Sequence, residues 1–353
     1  MKVALVYDRV NKWGGAERVL LALHKIFPKA PLYTSVYDKK GAPWAGVFPK
    51  IYTSFLQNLP FARQNHEFFA VLMPWVFESF DFSDYDLVIS VTSEAAKGIK
   101  TRGRTKHICY CLTPTRYLWS HYEHYFGDKV LRFVSAPFVK YLKSWDKKAA
   151  ERPDIMVAIS RTVSERIKRY YGRSSVIITP PASFVVRKMK KEKGKFFLLV
   201  SRLDFGYKKV DLAIKAFNKL DFPLVIIGSG REESKLRAIS QPNIIFAGQV
   251  SEERLIHYYQ NAKALIMPQE EDFGIVSLEA QAMGVPVIAY KKGGALDTVI
   301  PGKTGIFFKK QNVTSLMLAV AKFDRMRFSH SVLTNNAKRN SLANFRKKIL
   351  GII

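Results

Sequence analysis

The chain has 353 residues, 48% of them hydrophobic, which is enough to bury a large core, and its length points to two domains. Its two cysteines, Cys109 and Cys111, exclude a disulfide framework and a tetrathiolate zinc site and fit a reducing cytoplasm. The net charge of +28 asks for an anionic partner, but no zinc-finger spacing, RNP-like aromatic signature or basic heptad region accompanies it, which argues against nucleic acid.

Residues 3–7 read as a short strand rather than a signal peptide, because charge and turn residues follow at once. No uninterrupted apolar run reaches the ~18 residues needed to span a bilayer, so the reading is soluble or peripheral. Trp13-Gly14-Gly15-Ala16-Glu17-Arg18 opens the first helix, residues 16–27, whose face carries Val19, Leu20, Leu23 and Ile26. Gly14 and Gly15 can let a backbone approach a ligand at a helix N-terminus, or they can form a plain turn; without a third glycine this is not the dinucleotide fingerprint. Asp84-Tyr85-Asp86 superficially matches a metal-binding Asp-x-Asp, but its place just ahead of a strand, residues 87–91, reads as a turn. A further strand, residues 107–111, leads into Leu112, Thr113 and Arg116, and Arg116 at that edge can hold an anionic group. None of the seven histidines stands at zinc-ligand spacing, and His121 and His124 read as a surface helix. Basic residues mixed with aromatics at residues 129–133 and 138–145 fit a face turned to an anionic membrane, or an ordinary amphipathic helix packed on its own domain. With a strand at residues 155–159, this half alternates strands and helices, as a parallel sheet flanked by helices requires.

After Pro180-Pro181 comes a charged stretch, Arg187 to Lys195, and residues 183–195 read as a linker. The alternation then restarts with apolar runs at residues 196–200, 224–228, 243–246, 265–267 and 285–288. The expected organisation is an N-terminal domain (1–182), the linker, a second doubly wound domain (196–335) and a basic terminal helix within 336–353 that packs back on the first domain. Two such domains place a ligand in a cleft between strand C-termini. Arg202 and Lys208 follow the first strand of the second domain, where both can reach a diphosphate or merely form solvated charge. Gly228-Ser229-Gly230 is a turn on its own and a nucleotide-facing rim beside those cations.

The most informative segment follows residues 264–268: Glu271-Asp272-Phe273-Gly274-Ile275-Val276-Ser277-Leu278-Glu279. A glycine ahead of a helix start leaves N–H groups facing an anion, and flanking glutamates suit the hydroxyls of an attached sugar. Helical rise over the eight positions from Glu271 to Glu279 separates their Cα atoms by about 12 Å. That is wider than the ~5–5.5 Å or ~6.5–9.5 Å of a glycosidase carboxyl pair, and favours two contacts on one long ligand.

On these residues, together with Gly284-Val285-Pro286-Val287-Ile288, the chain resembles the retaining glycosyltransferases of family 4, over residues 1 to about 345. The stretch 201–211 looks like the diphosphate-binding segment of that family. Residues 80–90 and Thr113-Pro114-Thr115-Arg116-Tyr117-Leu118-Trp119 look like its mannosyltransferase-type branch of bacterial surface polysaccharide assembly. The resemblance implies a GT-B fold, two Rossmann-like domains facing across a cleft, and a metal-independent hexosyltransferase without a cofactor. Glu271 would contact the donor sugar, Glu279 the ribose, and Arg202 and Lys208 the leaving diphosphate. Phe273, Gly274, Ile275 and Val276 with Gly228 would complete the donor cradle, and Gly14 and Gly15 would close over it. The expected co-substrate is a nucleoside-diphosphate sugar, GDP-mannose, the acceptor a lipid-linked saccharide, and the location the cytoplasmic face of an anionic membrane. The pattern departs at Leu112, where the family commonly has an acceptor-side histidine, at Ser183, where an aspartate often stands, and by one extra residue between Arg202 and Lys208. Other readings are a sugar-nucleotide epimerase, a sugar-phosphate synthase, or a degenerate sugar-nucleotide-binding protein.

Overall fold

The computed structural model describes residues 1–182, 194–204 and 206–353, apart from the side chains of His124 and Leu131. The chain divides into two compact units, Met1–Thr179 with Arg346–Ile353, and Pro180–Phe345. Most of the expected linker, with Ser183, lies outside the described residues.

The N-terminal unit holds seven parallel strands, β1 (Val3–Tyr7), β2 (Leu32–Thr34), β3 (Ile51–Thr53), β4 (Leu87–Thr92), β5 (Lys106–Cys111), β6 (Ile155–Ala158) and β7 (Val176–Ile177), in the order β3-β2-β1-β4-β5-β6-β7. β1 lies in register with β4 from Val3 against Leu87 to Tyr7 against Val91. Its helices are α1 (Gly15–Ile26), α2 (Met73–Glu78), α3 (Tyr122–Tyr125), α4 (Lys129–Glu151) and α5 (Arg161–Tyr171). Every residue of β1 and β4 is buried, as expected of central strands covered on both faces by helices. Cys109 and Cys111 are free, buried residues of β5, and burial pushes the Cys109 thiol up to about 12. Asp84 and Asp86 sit ahead of β4, where Asp86 accepts from the backbone N–H of Lys2 at 2.6 Å; their role is local.

The C-terminal unit holds β8 (Phe196–Val200), β9 (Leu224–Ile227), β10 (Ile244–Gly248), β11 (Ala262–Met267), β12 (Val287–Tyr290) and β13 (Gly305–Phe308), parallel in the order β10-β9-β8-β11-β12-β13. Its helices are α6 (Val210–Leu220), α7 (Glu233–Ala238), α8 (Glu252–Asn261), α9 (Ile275–Ala282), α10 (Ala295–Thr298), α11 (Val313–Asp324) and α12 (His330–Lys338), and α13 (Leu342–Leu350) leads out of it. Alternation along the strands separates two cores. Phe197, Leu199, Leu224 and Ile226 pack with Phe217 of α6 and Val320 of α11. Leu198, Val225 and Ile227 pack with Ala280 of α9 and Ala337 of α12 on the opposite face. Each fully buried Leu, Ile or Phe contributes roughly 1.5–3 kcal/mol, so both faces must be covered.

The terminal helix expected within residues 336–353 corresponds to α13, and α12 ends just before it at Lys338. Asn336 on α12 is tied to α9 and α10, donating to Gln281 Oε1 at 2.7 Å and to the Thr298 carbonyl at 3.0 Å. The break at Asn340-Ser341 is used, since the Asn340 carbonyl accepts from the N–H of Ala182 at 2.7 Å. Residues 336–345 therefore belong with the second unit, not with a separate tail. The last residues belong with the first unit, where Lys106 Nζ donates to the carbonyls of Ile352 and Ile353 at 3.0 and 2.9 Å.

Candidate active site

In the C-terminal sheet the chain runs outward from β8 to β9 and β10, then returns to the other side of β8 as β11. The loops after β8 and β11 therefore leave in different directions from adjacent strand ends, the position where open parallel sheets bind ligands.

After β8, Leu203 is buried and anchors the loop, its N–H donating to the Ser229 carbonyl at 2.9 Å and its carbonyl accepting from Glu232 at 3.0 Å. Arg202 beside it is exposed. A single 3₁₀ turn, Gly206–Lys208, and a left-handed Lys209 (φ 54°) carry the chain into α6. This geometry brings Lys208, rather than Lys209, to Glu271. Gly228 has a packing reason to be glycine: its φ is +132°, and a Cβ would lie 1.9 Å from the Ser201 carbonyl oxygen. Gly230 abuts Leu203 in the same way, so this turn braces the loop that carries Arg202.

After β11, the loop is clamped by the turn that follows β12. Glu271 bridges Gly293, and the N–H of Gly294 donates to the Glu271 carbonyl at 2.7 Å. A Cβ on Gly293 would meet that carbonyl oxygen at 2.4 Å, and one on Gly294 would meet Phe273 Cα at 2.3 Å. Phe273 is buried as the wedge of the loop. Gly274, left-handed with φ 78°, starts α9 without a side-chain cap, and Ile275 and Val276 are half-buried at the helix start. A buried polar set holds that helix in place: Gln281 Nε2 donates to Ser277 Oγ at 3.0 Å and to the Thr298 carbonyl at 2.9 Å.

The two loops meet through their side chains. Lys208 Nζ donates to Glu271 Oε1 at 2.6 Å, and Gln269 Nε2 donates to the same oxygen at 2.9 Å. Glu279 is elsewhere on α9, buried, accepting from the Tyr259 hydroxyl at 3.2 Å. The two glutamates thus have separate partners, which does not suit a shared acid/base pair. Sequence reasoning missed Gln269 and Tyr259. Gln269 carries a weak signal, a polar residue just beyond a buried strand, whereas Tyr259 at the end of α8 carries none.

Gly14, Gly15, Leu112 and Arg116 belong to the first unit, at the C-terminal ends of its own strands. Gly14 caps α1 in extended backbone, which any residue adopts, and a Cβ on Gly15 would meet nothing within 4 Å. Leu112 directly follows β5, its N–H donating to the Thr92 carbonyl at 2.8 Å, and Arg116 is half-buried.

Around them is a polar network that sequence reasoning overlooked. Asp8, next after β1, accepts from Thr92 Oγ1 at 2.8 Å and from the N–H groups of Ser93, Glu94, Ala95 and Ala96 at 2.7–3.0 Å. Arg9 Nη1 pairs with Glu94 Oε1 at 2.5 Å. Burial works against the Glu94 charge, but Arg9 and His66 outweigh it and hold the carboxyl down to about 2. Lys97 and Asp146, each about 1% exposed, pair at 2.5 Å, and Asp146 also accepts from Thr115, Trp119 and Tyr171 at 2.8–2.9 Å. The available signal was the run Tyr7-Asp8-Arg9 leaving the strand at this sheet's own switch point.

Among the described residues no cluster of three or more His, Cys, Asp or Glu side chains forms a metal site, and no helix is long and apolar enough to cross a membrane. Chemically, the C-terminal unit sets a carboxylate and a lysine side by side near an uncapped helix start. The cation and the helix N–H groups suit a diphosphate, and the carboxylate suits sugar hydroxyls.

A family model described as glycosyl transferases group 1 matches residues 184–340. A GDP-mannose-dependent monoacylated alpha-(1-6)-phosphatidylinositol monomannoside mannosyltransferase of Corynebacterium glutamicum is 38% identical over 125 residues. That match spans 31% of this chain and 32% of the relative, so it covers about a third of the relative's length. The lipopolysaccharide outer core galactosyltransferase WaaB superposes over 100% of both chains with a TM-score of 0.67 at 21% identity. Anabaena Alr3699/HepE, solved in complex with UDP and glucose, covers 100% of this chain and 99% of its own with a TM-score of 0.73 at 17% identity. The chain has the GT-B fold, two Rossmann-like units each built on a parallel sheet, and its C-terminal unit is similar to the glycosyl transferases of group 1.

Proposed function

We propose that this protein is a metal-independent, retaining glycosyltransferase that moves a hexose, mannose, from GDP-mannose to a lipid-linked saccharide at the cytoplasmic face of a membrane. The observation that carries the proposal is the meeting of Lys208 and Glu271 beside the start of α9, at the switch point of the C-terminal sheet. The relative from C. glutamicum is named for GDP-mannose and for a phosphatidylinositol mannoside, which supports the donor and the acceptor class. The UDP and glucose bound to HepE support a nucleotide-sugar donor on this fold.

In the reaction the bond between the anomeric carbon and the diphosphate oxygen breaks, and the acceptor oxygen bonds to the same carbon face. The acceptor proton passes to the departing diphosphate. Negative charge grows on that diphosphate as the sugar becomes oxocarbenium-like, so fixed positive charge lowers the barrier. Lys208 and Arg202 supply it with the N–H groups of Ile275 and Val276. Glu271 accepts from the sugar hydroxyls and lies near the developing positive charge, while Glu279 holds the ribose.

The test is release of nucleoside diphosphate from GDP-mannose by purified protein, with and without lipid-linked acceptor, with the anomeric configuration read by NMR. Acceptor-dependent release with retained configuration is expected. Release without acceptor would favour a hydrolase or epimerase. Binding without turnover would favour a degenerate binding protein, the reading that Leu112 motivates.

A further inference from the structure

Helix α4 is built differently at its two ends. From Val139 onward it behaves as a packed amphipathic helix, with Val139, Leu142, Asp146, Ala149 and Ala150 buried at helical spacing. Its first ten residues, 129–138, present no buried side chain among those described. Val130, Phe133, Val134 and Phe138 are 71%, 84%, 61% and 51% exposed. At about 100° per residue these positions, with Tyr141, fall within an arc of about 140°, so the apolar stripe of this half faces outward. Trp75 of α2, also exposed, stacks on Tyr141 with ring centroids 6.1 Å apart and extends the stripe.

The charges around the stripe identify what covers it. Residues 129–145 contain Lys129, Arg132, Lys140 and Lys143 and no aspartate or glutamate. In the same projection Lys129 and Lys140 border the stripe. A second copy of the chain would bring the same positive charge against this face. An anionic bilayer instead offers an apolar boundary for the phenylalanines and phosphates for the lysines.

We propose that the N-terminal half of α4, with Trp75, is the surface by which this chain lies in the plane of an anionic phospholipid bilayer. The inference rests on the membrane location in the proposed function and names the surface that carries it; its test uses neither donor nor acceptor, so its failure is distinguishable from failure of the transferase reading. The full chain is sedimented with vesicles of phosphatidylcholine alone and of phosphatidylcholine with phosphatidylglycerol, at low and high salt. Binding to the anionic vesicles is expected, weakened by salt. The exposed double substitution Phe133→Ser with Phe138→Ser should lower partitioning at least about tenfold. Lys129→Glu with Lys140→Glu should remove the preference for anionic lipid, while circular dichroism and the melting temperature stay unchanged in both. Equal binding of wild type and the phenylalanine variant would overturn the proposal, as would equal binding to neutral vesicles. So would a dimer, seen by sedimentation equilibrium, that the phenylalanine substitutions dissociate while vesicle binding is absent.

Discussion

Lys208 and Glu271 stand 63 positions apart in the chain and 2.6 Å apart in the fold. They arrive on loops from neighbouring strands, β8 and β11, and Gln269 holds the same carboxylate oxygen from the other side. The pair is only partly buried, with the side chains 13% and 20% exposed, so it contributes no more than about 1 kcal/mol to stability. In the proposed function its value is positional: each group is already oriented, and a donor taking the lysine on its diphosphate would free the carboxylate for the sugar.

Replacing Lys208 by Ala should therefore leave folding nearly intact while lowering transfer by about 100-fold or more, the scale of losing one preorganised charge in the transition state. Glu271→Gln should act similarly. Initial rates of diphosphate release beside melting curves check this; rates within threefold of wild type would remove both residues from the chemistry.

Gly228→Ala should destabilise the protein by more than about 2 kcal/mol, because the added methyl meets the Ser201 carbonyl in a backbone region that disfavours alanine. Urea unfolding measures the loss. A neutral substitution would show that the loop after β8 can retreat without consequence.

For Glu279, the ribose assignment predicts that Glu279→Gln weakens GDP binding about tenfold or more in a thermal-shift titration. Tyr259→Phe, which removes only the 3.2 Å hydrogen bond to that carboxylate, should weaken it less. Unchanged GDP affinity in the glutamine variant would make Glu279 a core residue only.

The Lys97–Asp146 pair lies at the opposite extreme of burial. Burial opposes the lysine charge, yet Asp146 raises its pKa, so the lysine stays charged. Lys97→Met leaves a buried carboxylate with no counter-charge and should cost about 3–5 kcal/mol. A shift in urea midpoint equivalent to less than about 1 kcal/mol would contradict this.

His107 supplies the pH dependence. Its ring is fully buried, and burial pushes its pKa down to about 3, with Arg173 and Arg152 adding to that and Asp154 opposing it. The unfolded chain takes up a proton near pH 6.5 that the fold refuses, so this contribution to stability is present above pH 6.5 and is lost as pH falls toward 3. Between pH 7 and 5.5 the loss is about 1 kcal/mol. The Ser90 Oγ to His107 Nε2 contact at 2.8 Å suggests His107→Gln as the control, and its stability should change less over that interval. Parallel pH profiles for the two proteins would refute the assignment.

Much of the architecture is legible in the chain alone. Continuous apolar runs such as residues 87–91 and 196–200 mark strands covered on both faces, and their alternation with helical periods implies parallel sheets. The glycine and phenylalanine between Glu271 and Glu279 mark a loop-to-helix turn, because a left-handed residue and a buried wedge are local requirements. Strands of two or three residues, β2, β3 and β7, leave too short a pattern to read. The break between α12 and α13 is invisible for another reason: it follows from Asn336 being held by α9 and α10 and from Asn340 bonding to Ala182.

Only the tertiary structure decided which side chains meet. Lys208 faces Glu271, Tyr259 faces Glu279, Asp8 is ringed by the N–H groups after β4, and Lys97 is locked to Asp146. Hydrophobic periodicity records which face of an element is buried, but it carries no information on which strand becomes its neighbour. That order, β9-β8-β11 in one unit and β2-β1-β4 in the other, brings distant loops together, and the proposed site is the junction of the loops after β8 and β11.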